Sequence, residues 1–322
     1  MAQLSLSYIL LTYNQKNTVR EAVVSALKQD VPDLEIVITD DHSTDGTFDE
    51  IEAVVAAYNG PHRIILNRNP KNLGLAGNID MAHRLSSGDV LVAAAGDDLS
   101  YPQRCRRIQE AFSRGSPLLV CSYVQAIDPE GNPVPGDFRT ALFYRSWNLT
   151  QAAKSKALYI GATGAWHRSL YENYGPMDPT AYEDLVFGFR AALEDRVTVL
   201  EEELVQYRLG LGLTSSDFSH ADIAAFEEKR RKGFLAHKGV MHQRIKDAEN
   251  FGLSGSSEVL RVLRRAQIKA ALGLAYYENQ SGAFTSLLLR HPLLGLATWR
   301  SERRRRNKLR QQLQAQAVGR DG

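Results

Sequence analysis

Cysteine is nearly absent: Cys105 and Cys121 are the two among 322 residues. They lack CxxC spacing, which speaks against a disulfide framework and leaves two buried thiols in a reducing compartment as the expectation. Charge of one sign is lacking as well. The formal net charge is +2, so the chain as a whole gives no reason to expect nucleic acid as a partner. Long hydrophobic runs are missing too. No stretch of about 18 uninterrupted apolar residues occurs, and the nearest candidate, 284–299, is broken by Arg290, His291 and Pro292. A membrane span is therefore not expected. Residues 1–7 show no basic region followed by an apolar run, so no signal peptide is expected either. What remains, at 43% hydrophobic and 24% charged, is the composition of an ordinary globular protein.

The first 125 residues alternate between strand and helix patterns. Short apolar runs at 6–12, 34–39, 63–67, 89–94 and 118–124 read as strands. Helical spacing fills the gaps at 18–28, from Ser43-Thr44-Asp45 to about Tyr58, at 76–85 and at 102–112. Ser43, Thr44 and Asp45 can each cap the second helix. This order implies an α/β fold, a mostly parallel Rossmann-like sheet with helices on both faces, its strands buried on both sides. From Asp128 to about Asn148 three prolines and two glycines predict turns and a mobile loop. A short helix at 151–158, a glycine-bearing turn at 161–164, a helix at 184–193 and a strand within 197–208 follow. The rest reads as helical, at 221–249, 257–278 and 300–316.

Polar residues follow the strands at once. Strand one ends in Thr12-Tyr13-Asn14, strand two in Asp40-Asp41-His42-Ser43, strand three leads to Lys71-Asn72, and strand four ends in Gly96-Asp97-Asp98. In open α/β sheets ligands bind outside the carboxyl ends of the strands, so four strands deliver their polar groups to one rim. Two adjacent carboxylates repel unless a cation lies beside them. A hard divalent ion that also binds phosphate oxygens meets that need at Asp97 and Asp98; an acidic turn capping the next helix is the plainer alternative. Asp40 can accept the N3–H of a uracil or thymine ring, or merely cap a helix. Tyr13 offers an aromatic face to a base, or packs a strand end. The turn through Asn72, Gly74 and Asn78 leads into a helix, where backbone N–H groups can face ligand oxygens.

These residues occur in the order of a known family. The set comprises Thr12-Tyr13-Asn14, Asp40-Asp41-x-Ser43-x-Asp45-Gly46-Thr47, Asn72-x-Gly74-x-x-x-Asn78, Gly96-Asp97-Asp98-x-x-x-Pro102 and Glu183-Asp184. It closely resembles the family 2 glycosyltransferases with the A-type nucleotide-diphospho-sugar fold, over about residues 4 to 210. The resemblance implies an inverting, metal-dependent transfer from a nucleotide-diphosphate sugar to an acceptor hydroxyl. It implies that Thr12, Tyr13, Asn14, Asp40, Asp41, Lys71, Asn72, Gly74, Asn78 and Asp97 form the donor site, with Tyr13 and Asp40 at the base. It implies Mg2+ or Mn2+ at Asp98 and Asp97, and a general base from Glu183-Asp184, usually the aspartate. A carboxylate suits that task because a sugar hydroxyl is a poor nucleophile. Ala95 stands where the family's metal motif often begins with Asp, so Asp97 is assigned to the ribose and Asp98 to the metal. Tyr207-Arg208 is followed by Leu209-Gly210 rather than a His, which leaves His220 as a weak candidate for a late metal ligand. The Gln-x-x-Arg-Trp pattern of processive synthases is absent, which favours one sugar per encounter.

The resemblance further implies a UDP-sugar donor, with a dTDP-sugar as second choice, and cell-surface glycan assembly on a glycan or lipid-linked acceptor. Residues 1–215 are expected to form the catalytic domain and 216–322 a helical extension with a basic tail. Seven Arg or Lys against one Glu crowd 300–310, after the leucines at 287–289, 293, 294 and 296 and Trp299. That order suits the surface of an anionic membrane, or a core helix with a solvated tail. The expected location is cytoplasmic, with peripheral contact on the inner membrane face. Two other functions fit less well. A sugar nucleotidyltransferase needs a Gly-rich basic loop after strand one, and a non-catalytic binding module or scaffold needs no acidic pair at 183–184. No GxGxxG follows strand one, so a nicotinamide enzyme fits less well still.

Overall fold

Strand and helix alternate because apolar runs with a period near two give way to amphipathic runs with a period near 3.6. In the computed structural model, which describes residues 4–210, 222–278 and 281–318, this produces β1 (Leu6–Thr12), α1 (Val19–Leu27), β2 (Glu35–Asp40), α2 (Thr47–Ala56), β3 (Arg63–Arg68), α3 (Gly74–Leu85), β4 (Val90–Ala95), β5 (Leu99–Ser100), α4 (Arg104–Arg114) and β6 (Leu119–Ile127). The second half adds α5 (Leu149–Lys154), β7 (Ala165–His167), α6 (Ser169–Glu172), α7 (Glu183–Leu193) and β8 (Val197–Arg208). Four helices close the described chain: α8 (Ile223–Asn250), α9 (Glu258–Tyr277), α10 (Ser281–Arg290) and α11 (Pro292–Val318).

The sheet order is β3-β2-β1-β4-β7-β6-β8-β5. β1 to β4 are mutually parallel, and so are β6 and β8. β7 runs antiparallel between β4 and β6. It and β5 are strands the periodicity does not reveal, since three and two residues are too short to alternate. The mixed sheet also curls. β5 follows β4 directly in the chain yet pairs with β8 at the far edge, while Ser100 Oγ lies 2.8 Å from the Tyr8 hydroxyl of β1. The residues between β4 and β5, Asp97 and Asp98 among them, are thereby set against the end of β8.

Alternate side chains fill two cores. Tyr8, Leu10, Ile36, Ile38, Val90 and Val92 pack against α1, α2 and α4. Ile9, Val37, Leu91 and Trp166 face the other way, onto α3, α5 and α7. Val240 and Met241 of α8 and Leu260 and Leu263 of α9 join this second core, so the C-terminal helices pack into the sheet's own hydrophobic layer. A fully buried ion pair, Arg190–Asp247 at 2.8 Å, joins α7 to α8, and Gln243 supports it at 2.8 Å.

Two local expectations need correction. The helix expected at 151–158 occupies 149–154, capped by Asn148 and Gln151 in a capping box. It stops early because the next residues pair with the chain at 142–143 and because Arg244 draws the carbonyls of Ala152, Ala153 and Ser155 at 2.9–3.2 Å. The second helix is served by Asp45 alone of the three capping candidates, its Oδ1 accepting the Thr47 N–H at 3.0 Å. Ser43 instead donates to Asp40.

Candidate active site

The polar rim foreseen from the strand ends exists, and hydrogen bonds tie it together. Asn14 sits at φ +51°, a left-handed conformation that Asn tolerates. Its N–H reaches Ser43 Oγ at 2.8 Å and its side chain accepts the Thr44 N–H at 2.9 Å. Tyr13 is left 45% exposed at the rim. Asp40 is fully buried. It accepts from Thr12 Oγ1 at 3.1 Å and from the Ser43 N–H at 2.9 Å, with Arg68 Nε at 3.8 Å.

Asp41 and Asn78 turn inward. Asp41 accepts the backbone N–H groups of Leu73 and Gly74, each at 2.8 Å, and the Asn69 amide at 2.9 Å. It anchors the start of α3 rather than reaching the open rim. Asn78 is buried and accepts from Thr39 Oγ1 at 2.6 Å and Asn69 at 2.9 Å. Asn72 is exposed and holds the turn by accepting the Gly74 N–H at 2.9 Å; Gly74 itself has φ +73°. Lys71 is exposed beside it.

Asp97 and Asp98 lie buried at the end of β4. Gly96 before them leaves room for Thr12 and Gln15; a Cβ there would collide with the Gln15 amide oxygen. Burial raises the pKa of both carboxyls. Asp98 stands well above its usual range, with the Asp97 charge adding to the burial effect. Opposing this, the Arg208 N–H donates to Asp98 Oδ1 at 2.8 Å and the Arg208 Nε to the Asp97 carbonyl at 3.0 Å. Arg208 is itself buried and reaches on to Glu21 at 2.7 Å and the Pro129 carbonyl at 2.6 Å. Among the described residues no group of three or more His, Cys, Asp or Glu side chains gathers. The donor set is thus two buried carboxylates, a partial set that a hard ion would complete with water and phosphate oxygens. His220 lies outside the described residues.

A second acidic pair stands across the turn that precedes β7. Glu183 and Asp184 open α7, where the helix dipole favours carboxylates. Gly161 makes the space: a Cβ there would overlap Glu183 Oε1. Burial raises both pKa values, and the neighbouring Glu183 charge helps push Asp184 to about 8. The buried Tyr159 hydroxyl, which has no hydrogen-bond partner among the described residues, feels both carboxylates. Arg244 of α8 donates to the Leu185 carbonyl at 2.9 Å and its charge favours ionised Asp184.

One side chain bridges the backbone segments beside the two acidic pairs. Arg104, fully buried at the start of α4, donates to Ser100 Oγ at 2.9 Å, and to the carbonyls of Ala93 and Ala162, each at 2.7 Å. It fastens the end of β4 to the 161–164 turn and also places positive charge near Asp98. The motifs pointed to neither Arg104 nor Arg244. Each is one cation in a helix rich in them, and only the tertiary structure shows which one is buried.

The sequence profile of glycosyl transferase family 2 matches residues 7–175, just over half of the chain. The chain belongs to glycosyl transferase family 2. It is 35% identical over 106 residues to a putative glycosyltransferase, EpsE, of Bacillus subtilis, covering 33% of this chain and 37% of that protein. It is 26% identical over 217 residues to an uncharacterized glycosyltransferase of Nostoc sp., covering 64% of this chain and 65% of the relative. The chain thus spans between about a third and two thirds of the length of these relatives. Two solved structures share the fold. Staphylococcus aureus TarS 1–349 in complex with UDP-GlcNAc superposes with a TM-score of 0.53 at 19% identity, over 92% of this chain and 88% of that one. The mannosyltransferase PcManGT of Pyrobaculum calidifontis, in complex with GDP-Man and Mn2+, gives 0.57 at 17% identity, over 92% and 81%. The chain thus combines a family 2 sequence with the fold that these two structures share.

Proposed function

We propose that this glycosyltransferase moves one sugar per encounter, with inversion, from a nucleotide-diphosphate donor to an acceptor hydroxyl. The observation that carries the reading is the presence of two acidic pairs, Asp97-Asp98 buried after β4 and Glu183-Asp184 against the 161–164 turn, with Arg104 bonded to both β4 and that turn. In this reading residues 1–215 hold the chemistry and 216–322 support it.

The donor base lies against Tyr13. Asp40 accepts the N3–H of uracil, or of thymine, from below; a carboxylate has about four acceptor sites, and its contacts to Thr12 and Ser43 leave one for the ring. Asp97 takes the ribose, and the exposed Lys71-Asn72 edge closes the donor side. A divalent ion, Mg2+ or Mn2+, held by Asp98 with help from Asp97, would neutralise the diphosphate leaving group. Asp184 removes the proton from the acceptor hydroxyl, whose oxygen attacks the anomeric carbon as the bond to the diphosphate breaks on the opposite face. Glu183 raises the proton affinity of Asp184, and Arg244 limits that rise. The PcManGT complex contains Mn2+ and the TarS complex a UDP-sugar, which supports the metal and the donor class.

A cell-surface glycan, free or lipid-linked, is the acceptor we favour, reached from the cytoplasmic side with peripheral contact on an anionic membrane. Among the described residues no helix is long and apolar enough to cross a membrane. The test is a panel of UDP-, dTDP- and GDP-sugars incubated with the protein and Mg2+ or Mn2+. Metal-dependent release of one nucleoside diphosphate is expected. No release from any donor with either metal would overturn the reading.

A further inference from the structure

The last two helices present a surface that the catalytic reading leaves unused. One side of α11 faces the protein. Thr298 and Glu302 are buried there, and Glu302 accepts from Arg230 of α8 at 2.8 and 3.0 Å and from Tyr277 of α9 at 2.9 Å. With about 100° between successive residues, Leu293, Leu296, Arg300, Arg303 and Arg304 project from the opposite side, and all five are exposed. Leu293 is 84% exposed, and Leu289 at the end of α10 is 78% exposed. A core helix with a solvated tail would not leave these leucines bare.

The outward side is graded along its length. Near the break at His291-Pro292 it is apolar. From about two to five turns beyond that break it is basic, with Arg300, Arg303, Arg304 and Lys308 around a shallow hollow beside Trp299. The Arg303 guanidinium lies 4.8 Å from the centre of the Trp299 ring, at the seam between the two zones. Glu302 is the single acid between residues 281 and 318, and it points inward. From Leu293 to Arg303 the helix rises about 15 Å. A helix inclined to the surface can therefore set its leucines at the acyl boundary and its arginines at the phosphate layer.

We infer that the α10–α11 elbow docks on an anionic lipid bilayer. Leu289, Leu293, Leu296 and Trp299 enter the acyl boundary, and Arg300, Arg303, Arg304 and Lys308 meet the lipid phosphates. A second copy of the chain is a poorer occupant, because a two-fold contact would set one basic row against the other. Nucleic acid would leave the leucines uncovered. The elbow is fixed to the site: Glu302 holds α11 to α8, and Arg244 of α8 holds α7, which opens with Glu183-Asp184. Docking would therefore present the general base to a membrane-borne acceptor at a set height, and only this last consequence rests on the catalytic reading.

The full chain is mixed with phosphatidylcholine vesicles, with and without phosphatidylglycerol, and sedimented. Binding to the anionic vesicles is expected, weakening as salt shortens the Debye length, with at least about tenfold less on the neutral ones. Leu293→Glu with Leu296→Glu, and separately Arg300→Glu with Arg303→Glu and Arg304→Glu, should each cut binding about tenfold or more, with far-UV circular dichroism and melting temperature unchanged. Trp299 fluorescence, isolated by comparison with Trp299→Phe, should shift to the blue on anionic vesicles. Equal binding to both vesicle types, no binding, or variants that bind like the parent would overturn the proposal. So would a dimer, seen without lipid, that the leucine variants break. Failure of the catalytic reading shows elsewhere, as absence of nucleotide release, and leaves the vesicle result standing.

Discussion

Asp98 and Asp184 are both carboxyls whose burial opposes ionisation, yet each is set against a different helper. Asp98 has Arg208 and Arg104 nearby and Asp97 against it; a bound cation would relieve both acids at once. Replacing Asp98 with Ala should abolish transfer, a loss on the order of a hundredfold or more for a group that anchors leaving-group charge. Steady-state nucleotide release measures it, and activity within tenfold of the parent would remove Asp98 from the metal site. Asp184 differs in the proposed mechanism, because a general base must ionise to work. Its pKa, pushed to about 8 by burial and by Glu183, places the rise of kcat with pH across the range from about 7 to 9. Asp184→Asn should lower kcat by about a hundredfold or more, leave donor affinity within a factor of two, and flatten that rise. Loss of donor binding instead would take Asp184 out of the base role. The same shift has the opposite sign for stability. The folded chain binds this proton more tightly than the unfolded chain, so the contribution is full below the ordinary carboxylate range and is lost as pH rises through about 8. Urea midpoints of the parent should fall over that window more than those of Asp184→Asn.

At the scale of elements, the strands with long apolar runs were legible, because six or seven residues suffice to show burial on both faces. β7 was not: Ala165–His167 is a strand only because β4 and β6 leave a gap that three residues fill. The early stop of α5 was hidden for a related reason, since Arg244 lies 89 residues or more from the carbonyls it takes. The acidic pairs and the rim turns were legible as chemistry. Their bracing was not, because Arg104, Arg208 and Arg244 look like any surface arginine until the fold buries them. Asp41 and Asn78 show the reverse, being motif residues whose side chains are spent holding the rim together. The α7–α8 junction makes a prediction of its own. Removing one partner of a buried ion pair leaves the other charge stranded, at a cost of about 3–5 kcal/mol. Asp247→Ala should therefore lose roughly that much in urea unfolding, and Arg190→Met with Asp247→Leu should recover most of it. A loss below about 1 kcal/mol, as for an exposed pair, would mean that α8 is not locked to α7 as described.

Across the whole molecule, the proposed function would make donor, metal and fold one linked equilibrium. A ligand that binds only the folded chain stabilises it by RT ln(1 + [L]/Kd), about 2.7 kcal/mol at a hundredfold excess over Kd. Because the rim is assembled from β1, β2, β4 and β8, which belong to a single sheet, this gain should appear in the main unfolding transition. A melting series with UDP, dTDP and GDP, each with and without Mn2+, should show a rise of several degrees for the cognate diphosphate. Mn2+ alone should do little, because Asp97 and Asp98 supply only two carboxylates and the diphosphate must complete the shell. Mn2+ should add to the effect of the diphosphate but not to that of the free nucleoside. In Asp98→Ala the increment from Mn2+ should vanish, while the smaller rise from the diphosphate alone persists through Tyr13, Asp40 and Asp97. If Mn2+ raises the parent's melting temperature without nucleotide, and still does so in Asp98→Ala, the ion binds elsewhere and the assignment of the pair at the end of β4 fails.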